Sequence, residues 1–181
     1  MRVKINNIIS VLISFLKFSV LKLFRGSKFK FGLIERFSPN VVTEFNKGSD
    51  VLLESKVRVH SGCKIKVRKN AKLFIGKNTK INYNCIIICR DEIRIGEGTE
   101  FGPNVLIYDH DHDFRAGLKE NKFLSAPIHI GKNCWIGANT VILRGTTIGD
   151  NCIIAAGSVV KDNVPDSTIY VQKRSSQLIE Y

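Results

Sequence analysis

The segment YDHDHDF, residues 108–114, places two histidines and three aspartates within seven positions. No other stretch of the chain is as dense in groups that titrate or bind metal. A neutral imidazole accepts a proton near pH 7 and is also a common zinc ligand. Three readings of the cluster stand side by side. It can be a solvated acidic loop with incidental histidines. His110 and His112, two residues apart on one side of an extended strand, can bind a cation with a third ligand. Or one histidine can serve as a general base, with Asp109, Asp111 or Asp113 orienting its second ring nitrogen. The metal reading is short of a ligand: the chain has four histidines, His60 lies several repeats away, and His129 sits beside a core position.

The elements that must position this cluster are legible as a six-residue period. Ile130, Ile136, Ile142, Ile148, Ile154 and Val160 stand in strict register. The same frame appears at Ile75 and Ile81 and at Ile95 and Phe101, and Val59 and Ile65 are weaker copies. Three residues after the ten strong anchors stand Asn78, Asn84, Gly98, Asn104, Asn133, Asn139, Gly145, Asn151, Gly157 and Asn163. Asn and Gly enter left-handed backbone angles at the least cost, so each hexad is a short extended piece and a corner. The next column is small or β-branched and holds Cys63, Cys85, Cys134 and Cys152, which gives these thiols a packing role. A helix would need anchors at a spacing of 3.6 and would not accept Asn or Gly every sixth residue. The expected fold is therefore an all-β solenoid, three hexads to a coil. Residues 108–127 interrupt the frame, a long loop extruded from a regular coil with the His/Asp cluster at its root.

Composition bounds the rest. The chain has 181 residues, 44% hydrophobic and 24% charged, enough for one domain with a real core. Five cysteines without a CxxC pair argue against a disulfide framework and for a reducing compartment. The net charge is +12, and residues 1–36 hold eight Lys or Arg against a single acid, Glu35. That excess suits anionic lipid or a phosphorylated substrate; no base-reading motif accompanies it, so nucleic acid is not an expected partner. Residues 1–25 are expected to form a basic amphipathic helix with Asn7, Ser10, Ser14 and Lys17 as one narrow polar stripe. Lys17 and Lys22 break any uncharged run of the ~18 residues a spanning helix would show, and no small-residue cleavage site follows. The helix either packs on the domain's end or a neighbouring subunit, or lies in a membrane interface with its lysines at headgroup level. Residues 26–50 read as a linking segment, 51–169 as the solenoid domain and 170–181 as a tail.

The segment IGKNCWIGANTVILRGTTIGDNCIIAAGSVVKDNVP, 130–165, taken with INYNC (81–85) and NVLIYDHDH (104–112), resembles the hexapeptide-repeat acyltransferases with a left-handed β-helix. It is most similar to the maltose and galactoside O-acetyltransferase branch and its relatives in surface-polysaccharide biosynthesis. The left-handed coil is implied by this resemblance alone. So are the following roles. The general base is the histidine four residues after the aromatic that ends the coil, His112. Asn82, His110 and Trp135 lie at the acceptor, and the Ala138 N–H is the donor for the oxyanion. Acetyl-CoA, the acyl donor, runs along Gly137, Ala138, Ala156 and Gly157. The family's usual GNPAK-like ending is replaced here by YVQKRSSQ, 170–177, so Lys161, Lys173 and Arg174 are the candidates for neutralising CoA phosphates. The resemblance further implies a homotrimer with sites between neighbours, and a sugar or lipid-linked glycan as acceptor. No metal is expected. The location would be cytoplasmic, with peripheral contact on the inner face of an anionic membrane under the interfacial reading of the helix. An N-acetyltransferase of an amino sugar and a non-catalytic glycan- or membrane-binding scaffold are the alternatives.

Overall fold

The structure, a computed structural model, describes residues 2–116 and 122–173, with side chains from Asn7 onward. It is a three-sided solenoid closed at one end by a helix, Arg2–Arg25. The first side runs from Phe29–Phe31 to Thr147–Ile148, the second from Arg36–Phe37 to Ile169–Tyr170, the third from Val42–Phe45 to Val159–Val160. Every strand pair within the three sheets is parallel. This architecture agrees with the left-handed β-helix that the resemblance implies. The core is a set of side-chain files, one residue per coil. Phe37, Val59, Ile81, Phe101, Ile136 and Ile154 make one such file, and each is buried.

Residues 26–50, expected as a link, form the first coil. Phe29 pairs in register with Val51, and Val51 with Leu73. The strands on the first and third sides reach four residues in the early coils, as in Asp50–Leu53 and Lys64–Val67. Each early coil is therefore longer than three hexads, and a strict six-residue template loses it.

The corners carry the expected geometry. Nine of the ten predicted Asn and Gly residues have positive φ, from 52° at Asn133 to 78° at Gly145. Asn163 does not, because the last coil is cut short and Val164 bridges directly to Ile148. The small column after each corner also bonds between coils. Cys63 donates to the Asn82 carbonyl at 2.9 Å, Cys134 to Gly149 at 3.0 Å and Cys152 to Pro165 at 3.0 Å. Thr99 does the same to Gly131 at 2.8 Å. All five cysteines are free and buried, as suits a packing column.

The helix meets the solenoid in an unexpected orientation. Its polar stripe faces inward. Ser14 Oγ accepts from the Phe37 N–H at 2.9 Å, Lys17 donates to the Val41 carbonyl at 3.2 Å, and Arg25 donates to the carbonyls of Phe45, Asn46 and Ser49. The first coil has no coil before it, so its edge groups would otherwise lack partners. One aromatic completes the cap: Phe18 is fully buried against Phe29, Phe31 and Phe37. The apolar side of the helix points away from the solenoid.

Glu35, the single acid of residues 1–43, is buried at the first corner and accepts from the Val57 N–H at 2.9 Å. Its other oxygen has no partner among the described residues. Burial pushes its carboxyl up to about 8, against a smaller opposing effect of that N–H. The folded state thus holds this proton where the unfolded chain, with an ordinary carboxylate, has released it. The stability it contributes is complete below the unfolded value of about 4.3 and is lost as pH rises toward 8. Glu35→Gln should remove this dependence: thermal melts at pH 5 and pH 8.5 should differ less in the variant than in the parent, with the variant the more stable of the two at the higher pH. An unchanged slope would mean that Glu35 is charged in place.

Candidate active site

Within the interruption at 108–127 the described residues include two strands that pair antiparallel as the base of a hairpin. His110–His112 pairs with Phe123–Ser125, His112 opposite Phe123. Its root is held by Asp109, which is fully buried. The Asp109 carboxylate accepts from the Arg90 N–H at 2.8 and 2.9 Å and from the Asp91 N–H at 2.7 Å. The same carboxylate lies 3.0 Å from His110 Nδ1. With a carboxylate there, Nδ1 must donate, and the lone pair of a neutral His110 ring is on Nε2. Ala126 N donates to the Asp109 carbonyl at 3.0 Å and closes the root.

The two histidines therefore differ. His110 keeps 11% of its side chain exposed and is flanked by the rings of Tyr108 and Phe123. His112 is exposed, with its ring centroid 4.5 Å from that of Phe123. Phe123 is pinned in turn by the Arg90 guanidinium, 3.4 Å from the ring centroid. None of the three aspartates orients His112 within the protomer. Asp109 holds His110, Asp111 pairs with Arg144 at 2.7 Å, and Asp113 accepts from the Arg115 and Ala116 N–H groups. Among the described residues no group of three His, Cys, Asp or Glu is arranged to hold a metal ion.

The remaining candidates occupy a different corner. The hairpin leaves at the corner between the third and first sides, after Leu106–Tyr108. Asn82, Gly137 and Ala138 follow second-side strands, at the corner between the second and third sides, and Ala156 and Gly157 lie there too. Successive coils approach closely at this edge. A Cβ on Gly102 would sit 2.6 Å from the Ala138 nitrogen, and one on Gly137 would sit 2.5 Å from that of Ala156. Gly157 N donates to the Ala138 carbonyl at 2.7 Å, while the Ala138 N–H meets no protein acceptor among the described residues. Asn82 is half-buried, and its Oδ1 accepts from the Tyr83 N–H at 2.9 Å. Trp135 stands outward on the second side, 60% exposed. The five steps from Asn104 to Asp109 span the third side, roughly 16 Å of extended chain. His112 and the Asn82–Ala138 edge are therefore apart in one protomer.

His60, set aside in the sequence as too distant, shares the Asn82 corner, with its ring centroid 4.8 Å from that of Tyr83. Burial, and secondarily the charge of Arg58, hold its imidazole below the usual range. The sequence signal was present: His60 follows the weak anchor Val59 as Asn82 follows Ile81. Lys161 and Lys173 are exposed, and Gln172 is docked on Val159, its Oε1 accepting from that N–H at 3.0 Å. Arg174 lies outside the described residues.

Asp109→Asn should test the clamp. Its NH₂ would face donors at two of the present contacts; the Arg90 N–H keeps the remaining oxygen, and the N–H of Asp91 or of His110 is left unmatched at about 1–3 kcal/mol. The urea midpoint should fall, and ¹⁵N imidazole spectra should show the Nδ1–H of His110 disturbed while His112 is unchanged. Equal disturbance of both rings would mean that the two histidines are held by a common network.

Comparison with known proteins agrees with the hexapeptide repeat and its solenoid. Residues 127–162 match the family model described as bacterial transferase hexapeptide (six repeats). Nodulation protein L of Rhizobium leguminosarum bv. viciae is 45% identical over 78 residues, covering 40% of this chain and 39% of that protein. The chain thus spans about two fifths of the length of the nodulation proteins it matches. Galactoside O-acetyltransferase of Lactococcus lactis subsp. lactis is 29% identical over 155 residues, 82% of this chain and 74% of that protein. A hexapeptide-repeat acetyltransferase of Vibrio cholerae O1 biovar eltor, solved with acetyl coenzyme A, superposes with a TM-score of 0.56 at 29% identity, covering 68% of this chain and 65% of that one.

Proposed function

We propose that this hexapeptide-repeat chain is an acetyl-CoA-dependent O-acetyltransferase of a sugar hydroxyl, working in surface-polysaccharide biosynthesis as a homotrimer, with His112 as its general base. The observation that carries the reading is the clamped hairpin. It fixes His110 against Asp109 and holds His112 out from the solenoid, away from the corner that bears the other candidate residues. A base presented outward at one corner, and a free N–H beside small residues at another, make a complete site when a second protomer lies alongside. The likeness to a galactoside O-acetyltransferase and to an acetyl-CoA complex supports the substrate class and the donor.

In this reading His112 takes the proton of the sugar hydroxyl as its oxygen attacks the thioester carbonyl carbon. The Ala138 N–H of the adjoining protomer donates to the oxyanion. When the carbon–sulfur bond breaks, the imidazolium returns its proton to the departing thiolate, giving an O-acetyl sugar and free CoA. The solenoid holds donor and acceptor together, so no acyl-enzyme is required. Gly137, Ala156 and Gly157 keep the corner low for the pantetheine arm, with Lys161 and Lys173 for the CoA phosphates. His110 is a positioning residue: locked to Asp109, it sets the hairpin that carries His112.

Thiol release from acetyl-CoA against a panel of sugars measures this directly. His112→Ala should lower turnover by about 10²–10⁴-fold, with CoA affinity kept, and His110→Ala should cost less. Equal losses from the two variants, or recovery by added zinc after chelation, would undo the assignment. Mixing tests the shared site. His112→Ala and Asn82→Ala, each impaired alone, should recover about a quarter of parental sites after random reassembly into trimers. No recovery from a mixture shown to exchange protomers would place both residues in one protomer's site.

A further inference from the structure

The helix that caps the solenoid has its polarity reversed. With Ser14, Lys17 and Arg25 turned to the first coil, its apolar face is uncovered: Leu16 is 66% exposed, Leu23 83% and Phe24 86%. A contiguous apolar face of this kind marks a contact with something else. It continues past the helix at Leu33 and Ile34, both exposed. Ile34 holds a left-handed φ of 66°, an angle costly for a β-branched residue, where most other corners place Asn or Gly. An aliphatic side chain kept at that corner has a use outside the protomer's own core.

Charge defines what that use is. A groove of about 470 Å³ runs between the helix and the second side. Val11, Leu12 and Ile34 line one part of it, and Arg36, Lys56, Arg58 and Lys80 line the other. Arg36, Arg58 and Lys80 stack in register on consecutive coils. Lys80 pairs with Glu100, whereas Arg36, Lys56 and Arg58 meet no carboxylate among the described residues. Across residues 1–43 the one acid is Glu35, and it is buried. The helix and the second side beside it thus form an apolar face rimmed by cations, while Glu44, the exposed carboxylate of the first coil, stands on the third side paired with Lys66 and Arg68.

We propose that this end docks on an anionic lipid bilayer, the uncovered helix face entering the boundary between headgroups and acyl chains while Arg36, Lys56 and Arg58 meet lipid phosphates. A second copy of the chain is the poorer occupant, since two such faces would oppose like charges. Asn7–Lys28 is long and apolar enough to cross a bilayer, but crossing would strip the first coil of its bonds to Ser14, Lys17 and Arg25. The helix lies along the surface instead. The inference does not depend on the chemistry of His112; it goes beyond that reading by placing the chain where an acceptor carried on lipid would be presented.

The test is co-sedimentation of the full chain with vesicles of phosphatidylglycerol and phosphatidylcholine in equal parts, and with vesicles of phosphatidylcholine alone. The protein should follow the anionic vesicles and be released as salt rises. Leu16→Glu with Leu23→Glu should reduce binding at least tenfold, roughly, since buried apolar area drives it. Arg36→Gln with Arg58→Gln should cost about fivefold for each cation removed. All four side chains lie outside the core, so circular dichroism and melting should confirm folded variants. Equal binding to both vesicle types, or binding that survives the glutamate pair, overturns the proposal. So does a lipid-free assembly, seen by light scattering, that the glutamate pair abolishes without any vesicle binding by the parent, which would assign the face to a second copy.

Discussion

The stacking of one coil on the next is the constraint from which the rest follows. Parallel strands hydrogen-bond at a spacing of about 4.8 Å, and three corners per coil must turn the chain without breaking that spacing. This is why the corners repeat Asn or Gly at positive φ, and why Gly102 and Gly137 leave no room for a Cβ beneath the following coil. It is also why a thiol or hydroxyl follows many of the corners. At that point the carbonyl of the next coil lies within reach of one short donor, and Cys134 or Thr99 supplies it. The interior needs only a file of aliphatic side chains.

A stack has ends, and here the first end is closed by polar chemistry. An apolar helix face laid on the first coil would cover Phe37 and Val41 but leave the Phe37 N–H and the carbonyls of Val41, Phe45 and Ser49 without their present partners, at a cost comparable to a lost hydrogen bond for each. Ser14, Lys17 and Arg25 satisfy those groups, and Phe18 fills the central opening among three phenylalanines. The exposed apolar face is the consequence of that choice rather than a defect of folding. The helix closes the solenoid with one side and offers the other to its surroundings.

These two constraints explain which features were legible in the sequence. Where each side is one hexad, from Ile130 to Val160, the anchors and corners could be placed residue by residue, and the structure buries every anchor named. Where strands lengthen to four residues, the first coil at 29–45 was hidden, because its corners fall on Ile34 and Gly48 and its anchors are Phe29, Phe37 and Phe45 out of the six-residue frame. The helix was legible as a helix, but its orientation was not. A polar stripe conventionally faces water, and only the open edge of the first coil reverses that preference. At the site, the segment YDHDHDF announced itself by composition. The division of labour between its histidines did not, since it depends on a contact to Arg90 and Asp91 from the preceding coil.

The hairpin also shows how a rigid stack acquires a positioned group. A regular coil places its outward side chains on flat faces, where exposed pairs such as Lys80 and Glu100 are all that fixes them. Interrupting the coil at Tyr108 and resuming at Ile128 breaks the pattern at one corner only, and the stack resumes in register, Ile93 beside Ile128. The break must be sealed where it leaves the prism, or the N–H groups of Arg90 and Asp91 would be stranded beneath it. Asp109 seals it by accepting both, and the same buried carboxylate fixes His110. The residue that protects the fold from its interruption is therefore the one that orients the interruption. A substitution there should disturb stability and hairpin geometry together, whereas one at His112, exposed beside Phe123, touches the hairpin's chemistry without touching the stack.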